Sequence, residues 1–355
     1  MKALIAMSGG VDSSVSALLT LEKGYECIGA TMRLFDNEDA GISKEKTCCS
    51  LTDCEDAASV ARRLGMEHYV FNFKEDFREN VINRFTAEYE RGGTPNPCID
   101  CNRFLKFDKM LRRAKELGCD YIVTGHYAVI EYNDKTCRYE LKCAADKTKD
   151  QTYFLYSLTQ EQLAHTMFPL GTLEKSEVRE IAEKNGFVNA RKKDSQDICF
   201  IPDGDYAGFI ERYTGKTFPE GDFCDTDGNF LAKHKGIIHY TIGQRKGLGV
   251  AFGKPVYVCD KCVETNRVIL GDNEDLFSSE LDVTDFNWIS VPGASEPIRC
   301  YAKIRYNQKA QPATVIQTSE NTVHIVFDEP QRAIAKGQAA VLYDGDTVIG
   351  GGTIA

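Results

Sequence analysis

A chain of 355 residues with a formal net charge of −10 has room for two or three domains with their own cores. Its charge excludes broad affinity for nucleic acid, because the average surface repels a polyanion, so any RNA must be met by local basic patches. The first apolar run, KALIAM, breaks at Ser8-Gly9-Gly10 and is too short for a secretion signal or a membrane span, so a soluble, cytoplasmic protein with no membrane partner is expected.

The first 200 residues alternate strand and helix patterns. Lys2 to Met7 reads as a buried strand, Ser13 to Lys23 as a helix stopped by Gly24, and Tyr25 to Leu34 as a second strand. A helix from Thr52 to Leu64, a strand from His68 to Phe73, helices over 75–91 and 101–117, and a strand from Asp120 to Thr124 follow. This repetition predicts a doubly wound, mostly parallel sheet covered on both faces. Ala128 to Ala144 alternates around Asn133-Asp134 and reads as a hairpin laid on that sheet; two more helices are expected near 160–166 and 174–185.

After about Pro202 the character changes. Beyond a helix at Tyr206 to Tyr213, short β-branched and aromatic runs such as GIIHYTIG, KPVYVCD, NRVILGD and TVHIVFD stand between Gly, Asp and Asn. They predict two small, mainly-β modules, 202–275 and 276–355, the last a barrel, behind an α/β domain spanning 1–201. Between Arg299 and Gln338 six Lys or Arg face three acids, against the overall sign of the chain. A solvated charged face would look the same.

Chemistry concentrates first at Ser8-Gly9-Gly10-Val11-Asp12-Ser13-Ser14, directly after the first strand. Glycines allow a tight turn of converging N–H groups, and the helix N-terminus adds partial positive charge, which suits phosphate. The hydroxyls of Ser8, Ser13 and Ser14 can add donors, and Asp12 reads as a direct or water-mediated magnesium ligand. A serine-capped turn is the plain alternative; the position at the carboxyl end of the first strand argues for a ligand. The spacing fits neither G-x-G-x-x-G nor G-x-x-x-x-G-K-S/T.

S-G-G-V-D-S in this position resembles the pyrophosphatase loop of the ATP pyrophosphatase class, whose members adenylate an oxygen and release pyrophosphate. TPNPCIDCN at 94–102, TGHYA at 124–128, KDQTYFL at 149–155, KKDSQDICFI at 192–201 and HYTIGQRKGLG at 239–249 are similar, in order and spacing, to the tRNA-specific 2-thiouridylases. The resemblance runs end to end. It implies an adenine-nucleotide hydrolase-like catalytic domain that uses ATP and Mg2+ to activate the 2-oxygen of the wobble uridine, which sulfur then replaces. The target base would be turned out of its stack in the anticodon loop.

By position, the resemblance implies ATP contacts at Ala6, Met7, Ser8, Gly9, Gly10, Val11, Asp12, Ser13, Met32 and Gly125. It implies target-base contacts at Asn96, Pro97 and Cys98, and tRNA contacts at His126, Lys149, Asp150, Gln151, Arg305, Tyr306 and Gln338. For His126 the plain reading is a satisfied histidine at a strand end.

Fourteen cysteines, unevenly spaced and without an export signal, read mainly as reduced, small buried hydrophobes. Two stand out. Cys101 lies where a loop enters a helix, so the helix N-terminus is expected to lower its pKa; Cys199 follows Lys192, Lys193 and Asp194, and the cations favour its thiolate. The resemblance matches Cys199 to the persulfide carrier and Cys101 to the partner that frees the sulfur by disulfide formation. Many relatives carry an acid where this chain has Cys98. The substitution makes Cys98, Cys101 and Cys199 candidate ligands of a [4Fe-4S] cluster whose open iron would deliver hydrosulfide. A sulfur-donor or relay protein, or inorganic sulfide, is the implied source. Cys259-x-x-Cys262 is a weak zinc candidate, and Cys48, Cys49 and Cys54 read as surface or structural thiols. Two other functions compete: a synthetase of the same loop class acting on a small molecule, and an iron–sulfur or RNA-binding protein that keeps the loop as scaffold.

Overall fold

The computed structural model of the chain describes residues 1–35, 51–192 and 198–355. β1 (Lys2–Ala6), β2 (Glu26–Arg33), β3 (Glu67–Asn72) and β4 (Tyr121–Val123) are parallel strands. The hairpin β5 (Ala128–Asn133) and β6 (Arg138–Cys143) follows, and then the short β7 (Thr166–Met167). The parallel sheet runs in the order β3-β2-β1-β4-β7. Its central strands are apolar on both faces because both are covered: Leu4, Ile28 and Ile122 enter one core, while Ala3, Ile5, Val123 and Met7, just after β1, enter the other. Helix α1 (Val11–Glu22), helix α2 (Leu51–Arg63) and the helix Lys175–Lys184 close the second face. Two helical runs, 74–90 and 97–116, close the first.

The strand order reverses direction on either side of β1, so the carboxyl ends of β1 and β4 flank a crevice of the kind that takes ligands in open α/β sheets. Both the phosphate loop and the segment 124–126 begin there.

The rest is mainly β. After the helix Tyr206–Thr214, β8 (Gly221–Cys224), β9 (Phe230–His234), β10 (Tyr257–Cys262) and β11 (Arg267–Gly271) form a four-stranded sheet in the order β10-β11-β8-β9. Then β12 (Phe277–Trp288), β13 (Ile298–Lys303), β14 (Gln311–Ser319), β15 (Thr322–Arg332), β16 (Ala339–Asp344) and β17 (Thr347–Ile354) make a six-stranded barrel. It closes where β12 pairs with β17.

Three expectations are corrected. The β5–β6 hairpin does not lie on the parallel sheet: it extends the barrel's sheet, pairing Lys142 with Thr347, and Arg138 donates to the carbonyls of Trp288 and Ile289. GIIHYTIG is not a strand. Ile237–His239 is one 3-10 turn, and positive φ at Gly236 and Gly243 breaks any pleat at either end of this stretch. The helix expected from Cys101 begins at Pro97, because Asn96 caps it by accepting from the Cys98 N–H at 3.2 Å and proline suits a first helical position.

Phe200, beside Cys199, fixes that part of the chain. It is 1% exposed, with ring centroids 5.6 Å from Phe77, 5.5 Å from Phe85 and 5.2 Å from Phe209. Phe200→Ala is expected to cost about 3–5 kcal/mol by emptying this aromatic cluster. Urea unfolding of the purified variant against wild type measures it.

Candidate active site

The phosphate loop is built from its own serines and braced from outside. Gly10 starts α1 with no side-chain cap, which leaves the first-turn amides to an incoming anion. The Ser13 and Ser14 hydroxyls both donate to the Gly10 carbonyl, at 3.0 and 3.1 Å, and Ser13 Oγ accepts from the Ser8 N–H. These two hydroxyls therefore shape the loop, where the sequence suggested donors aimed at phosphate. Gly9 has φ +74°, and a Cβ there would lie 2.4 Å from the Asp53 carbonyl oxygen. No side chain fits.

The Gly9 carbonyl accepts from Asn189 Nδ2 at 3.0 Å and from Lys192 Nζ at 3.3 Å. Asn189, 3% exposed, also donates to Ser14 Oγ at 2.9 Å. Lys192 Nζ meets Asp53 Oδ1 at 2.5 Å and Asp56 Oδ2 at 2.8 Å. Burial pulls the Lys192 ammonium down, but the hydrogen bonds to Asp53 and Asp56 outweigh it and hold its pKa above the usual lysine value. Lys192 is thus committed to the phosphate loop and α2, not to the Cys199 thiolate as the sequence suggested. Lys193 and Asp194 lie outside the described residues.

Asp12 accepts from Lys175 Nζ through both carboxylate oxygens, at 2.8 Å each, and from the Tyr127 hydroxyl at 2.9 Å. That carboxylate is thus paired within the protein, with its side chain 30% exposed. Above it, Gly125 comes so close that a Cβ would lie 2.8 Å from the Asp12 carbonyl carbon and 2.9 Å from the Ser13 nitrogen. Of the other expected ATP contacts, Ala6 ends β1 and Val11 opens α1. The Met7 amide and carbonyl pair with the Ala30 carbonyl and the Thr31 hydroxyl, and Met32 lies near the end of β2.

From Gly125 the chain leads to His126, which is 8% exposed between the rings of Phe107 and Phe168 and hydrogen-bonded through Nδ1 to Thr124 at 2.7 Å. Burial, with the charge of Lys106 added, holds its pKa well below the usual 6.5, so the ring is neutral at pH 7. Phe107 belongs to the helical run that also carries Cys101. One chain of contacts therefore joins the phosphate loop to the cysteine helix.

On that helix the structure reverses an expectation. Cys101 is the fifth residue after the cap, at the start of a π-helical stretch, Cys101–Lys109, and not at the helix N-terminus. Burial raises its pKa, Lys106 lowers it and Asp100 raises it again; the net direction is up. Cys98, exposed, takes the first-turn position instead. Cys199 is partly exposed and packs against the same core as Cys101.

Among the described residues no group of three His, Cys, Asp or Glu side chains is placed to hold a metal ion. Among the described residues, therefore, Cys98, Cys101 and Cys199 are not brought together as a three-thiolate set, and Cys259 and Cys262 on β10 gain no further ligands for zinc. Cys54 lies in α2, and Cys48 and Cys49 fall outside the described residues.

The expected tRNA contacts divide. Asp150, 9% exposed, accepts from the Ala144 N–H and the Thr152 hydroxyl, and Gln151 Oε1 accepts from the Tyr127 N–H. These two side chains tie the hairpin to the Tyr127 segment, whereas Lys149 beside them is half-buried. In the barrel, Arg305 donates to the Ala333 carbonyl, and Tyr306 packs on Phe154 with centroids 4.5 Å apart. Gln338 Nε2 donates to the Thr94 carbonyl at 2.5 Å, and the Thr94 N–H donates to the Lys336 carbonyl at 2.8 Å. The barrel thereby holds the loop that presents Asn96 and Pro97. Tyr127, Lys175, Asn189, Asp53 and Asp56 were not singled out in the sequence, and nothing in local spacing marks them.

Three family profiles cover most of the chain: "tRNA methyl transferase HUP domain" at residues 1–203, "tRNA methyl transferase PRC-barrel domain" at 207–272 and "Aminomethyltransferase beta-barrel domain" at 278–354. Over 353 residues the chain is 54% identical to a protein of Clostridioides difficile named tRNA-specific 2-thiouridylase MnmA, covering 99% of this chain and 98% of that one. A protein of the same name from Acetivibrio thermocellus is 52% identical over 354 residues, covering 99% of each.

Because His126 is buried neutral, the unfolded chain binds its proton first as pH falls. Stability present above pH 6.5 is lost below it, by on the order of 1 kcal/mol per such histidine at pH 5.5. Unfolding free energies at pH 7.5 and 5.5 should show this slope, reduced in His126→Gln. A thiol with a raised pKa also predicts that alkylation of Cys101 by iodoacetamide keeps accelerating above the pH where an ordinary thiol has levelled off. Mass spectrometry of the Cys101 peptide follows it.

Proposed function

This chain belongs to the tRNA-specific 2-thiouridylase family, and we propose that it replaces the 2-oxygen of the wobble uridine of tRNA with sulfur at the expense of ATP. The observation that carries the reading is the uncapped start of α1 at the strand-order reversal, joined through Gly125, His126 and Phe107 to the helix of Cys101. A phosphate site and a cysteine helix built into one contact chain suit an activation followed by a sulfur transfer.

Nucleotide phosphates dock on the α1 amides, and Mg2+ bound with them would shield their charge. The uridine 2-oxygen attacks the α-phosphorus and pyrophosphate leaves, which turns a poor leaving group into AMP. The outer sulfur of a Cys199 persulfide then attacks C2 and AMP departs. Cys101 then loses its thiol proton to solvent and attacks Cys199 Sγ, the S–S bond breaks toward the base as its new thiocarbonyl, and a Cys101–Cys199 disulfide remains. A two-electron thiol reductant and a fresh sulfane sulfur, from a donor protein, reset the pair. The raised pKa of Cys101 keeps it a thiol at rest, so the persulfide is not discharged early.

His126, neutral between two phenylalanine rings, suits a wall of the pocket for an unstacked base, as does the Asn96-Pro97-Cys98 turn. The half-buried Lys149 and the basic barrel residues supply local attraction for the tRNA anticodon arm on an otherwise acidic protein. Among the described residues the three cysteines are not brought together as a ligand set, and the persulfide route needs only the Cys199 and Cys101 pair.

Purified protein incubated with ATP, Mg2+, tRNA and a persulfide donor is expected to yield 2-thiouridine by nucleoside mass spectrometry, with Cys101→Ser and Cys199→Ser each reduced at least about a hundredfold. Equal product from all three would overturn the reading. Iron and acid-labile sulfide assays on anaerobically purified protein should find neither in stoichiometric amount.

A further inference from the structure

The sequence points to Asp12 as a magnesium ligand, but its carboxylate is already in use. Lys175 Nζ sits 2.8 Å from both oxygens, and the Tyr127 hydroxyl is 2.9 Å from Oδ1. The lysine side chain is 10% exposed, and its ammonium also lies 5.7 Å from the Tyr127 ring centroid. Lys175 is held in turn: it opens the helix Lys175–Lys184, and its backbone N–H donates to Asp146 Oδ2 at 3.1 Å. With the Tyr127 hydroxyl, the two-oxygen grip of a buried, anchored ammonium takes three of the roughly four lone-pair directions of the carboxylate, so a directly bound cation would have to compete with the pair.

We propose that Lys175 is a positioning residue of the phosphate site, whose ammonium neutralises and orients Asp12, and that Asp12 is half of an internal ion pair rather than a direct magnesium ligand. The proposal rests on ATP binding at this loop. Its physical content is electrostatic. With Lys175 in place, Asp12 anchors the first turn of α1 and presents little net charge to the phosphates; without it, a bare carboxylate would face them and repel them. Magnesium would then be held through the nucleotide's phosphates and water without this carboxylate.

Calorimetric titration of the full-length protein with ATP, repeated at stepped Mg2+ concentrations, tests this. Asp12→Asn is expected to keep the Mg2+ midpoint of ATP binding within about twofold of wild type. Lys175→Met should weaken ATP binding by about tenfold or more, and the double variant Asp12→Asn/Lys175→Met should recover to within about threefold of wild type, because the repelling charge has gone. The double variant removes both charges of the Lys175–Asp12 pair, so it and Asp12→Asn carry the test even if Lys175→Met fails to fold; thermal melts report which variants are folded. A Mg2+ midpoint raised tenfold by Asp12→Asn would show direct ligation and overturn the proposal. So would a double variant as weak as Lys175→Met, which would place Lys175 on the phosphates themselves. Wild type that binds no ATP would remove the nucleotide reading, and this proposal with it.

Discussion

Asp53 presents its backbone oxygen where a Cβ on residue 9 would have to sit, while Asn189 and Lys192 hold the Gly9 carbonyl from the other side. The phosphate loop is shaped by this clamp as much as by its own sequence. Four separate parts of the chain meet there: β1 with α1, the start of α2, the turn at Asn189 and Lys192, and, over Asp12, Gly125 from the end of β4. A loop of converging amides works as an anion site only if those amides are fixed before the anion arrives, since reorganisation would be opposed by its own entropy cost.

The same economy of contacts organises the sulfur side. Phe200 buries Cys199's neighbour in an aromatic cluster with Phe77, Phe85 and Phe209, and the barrel fixes the loop before Asn96 through Gln338 and Lys336. Cys101 sits inside its helix with a raised pKa. A thiol that is fully ionised at rest would attack any persulfide near it, so a protonated Cys101 matches a relay that discharges only after the base is activated.

Two parts of the molecule carry structural loads where an RNA contact was expected. Asp150 and Gln151 spend their side chains on Ala144, Thr152 and Tyr127, and Gln338 spends its amide on Thr94. Each of these bonds shapes a segment that belongs to the site. Residues of this kind stay near substrate because the loops they hold are there.

The sequence by itself determined the parallel sheet, the placement of the phosphate loop after β1 and the β character of the C-terminal third. Apolar runs, glycine stops and short alternating strands are local signals, and each reflects a local constraint on burial or φ. GIIHYTIG misled because its β-branched residues stand beside glycines whose positive φ won. The hairpin misled because alternation shows that one face is covered and not by what: only the folded chain decided that β6 pairs with β17. Likewise Asp12 read as a metal ligand and Cys101 as an activated thiolate, since a carboxylate beside a phosphate loop and a cysteine at a helix start have those properties in isolation. Tertiary structure brought Lys175 to the first, across 163 residues, and Asn96 moved the helix start past the second. Charge and pKa depend on burial and on neighbours in space, and the fold supplies both.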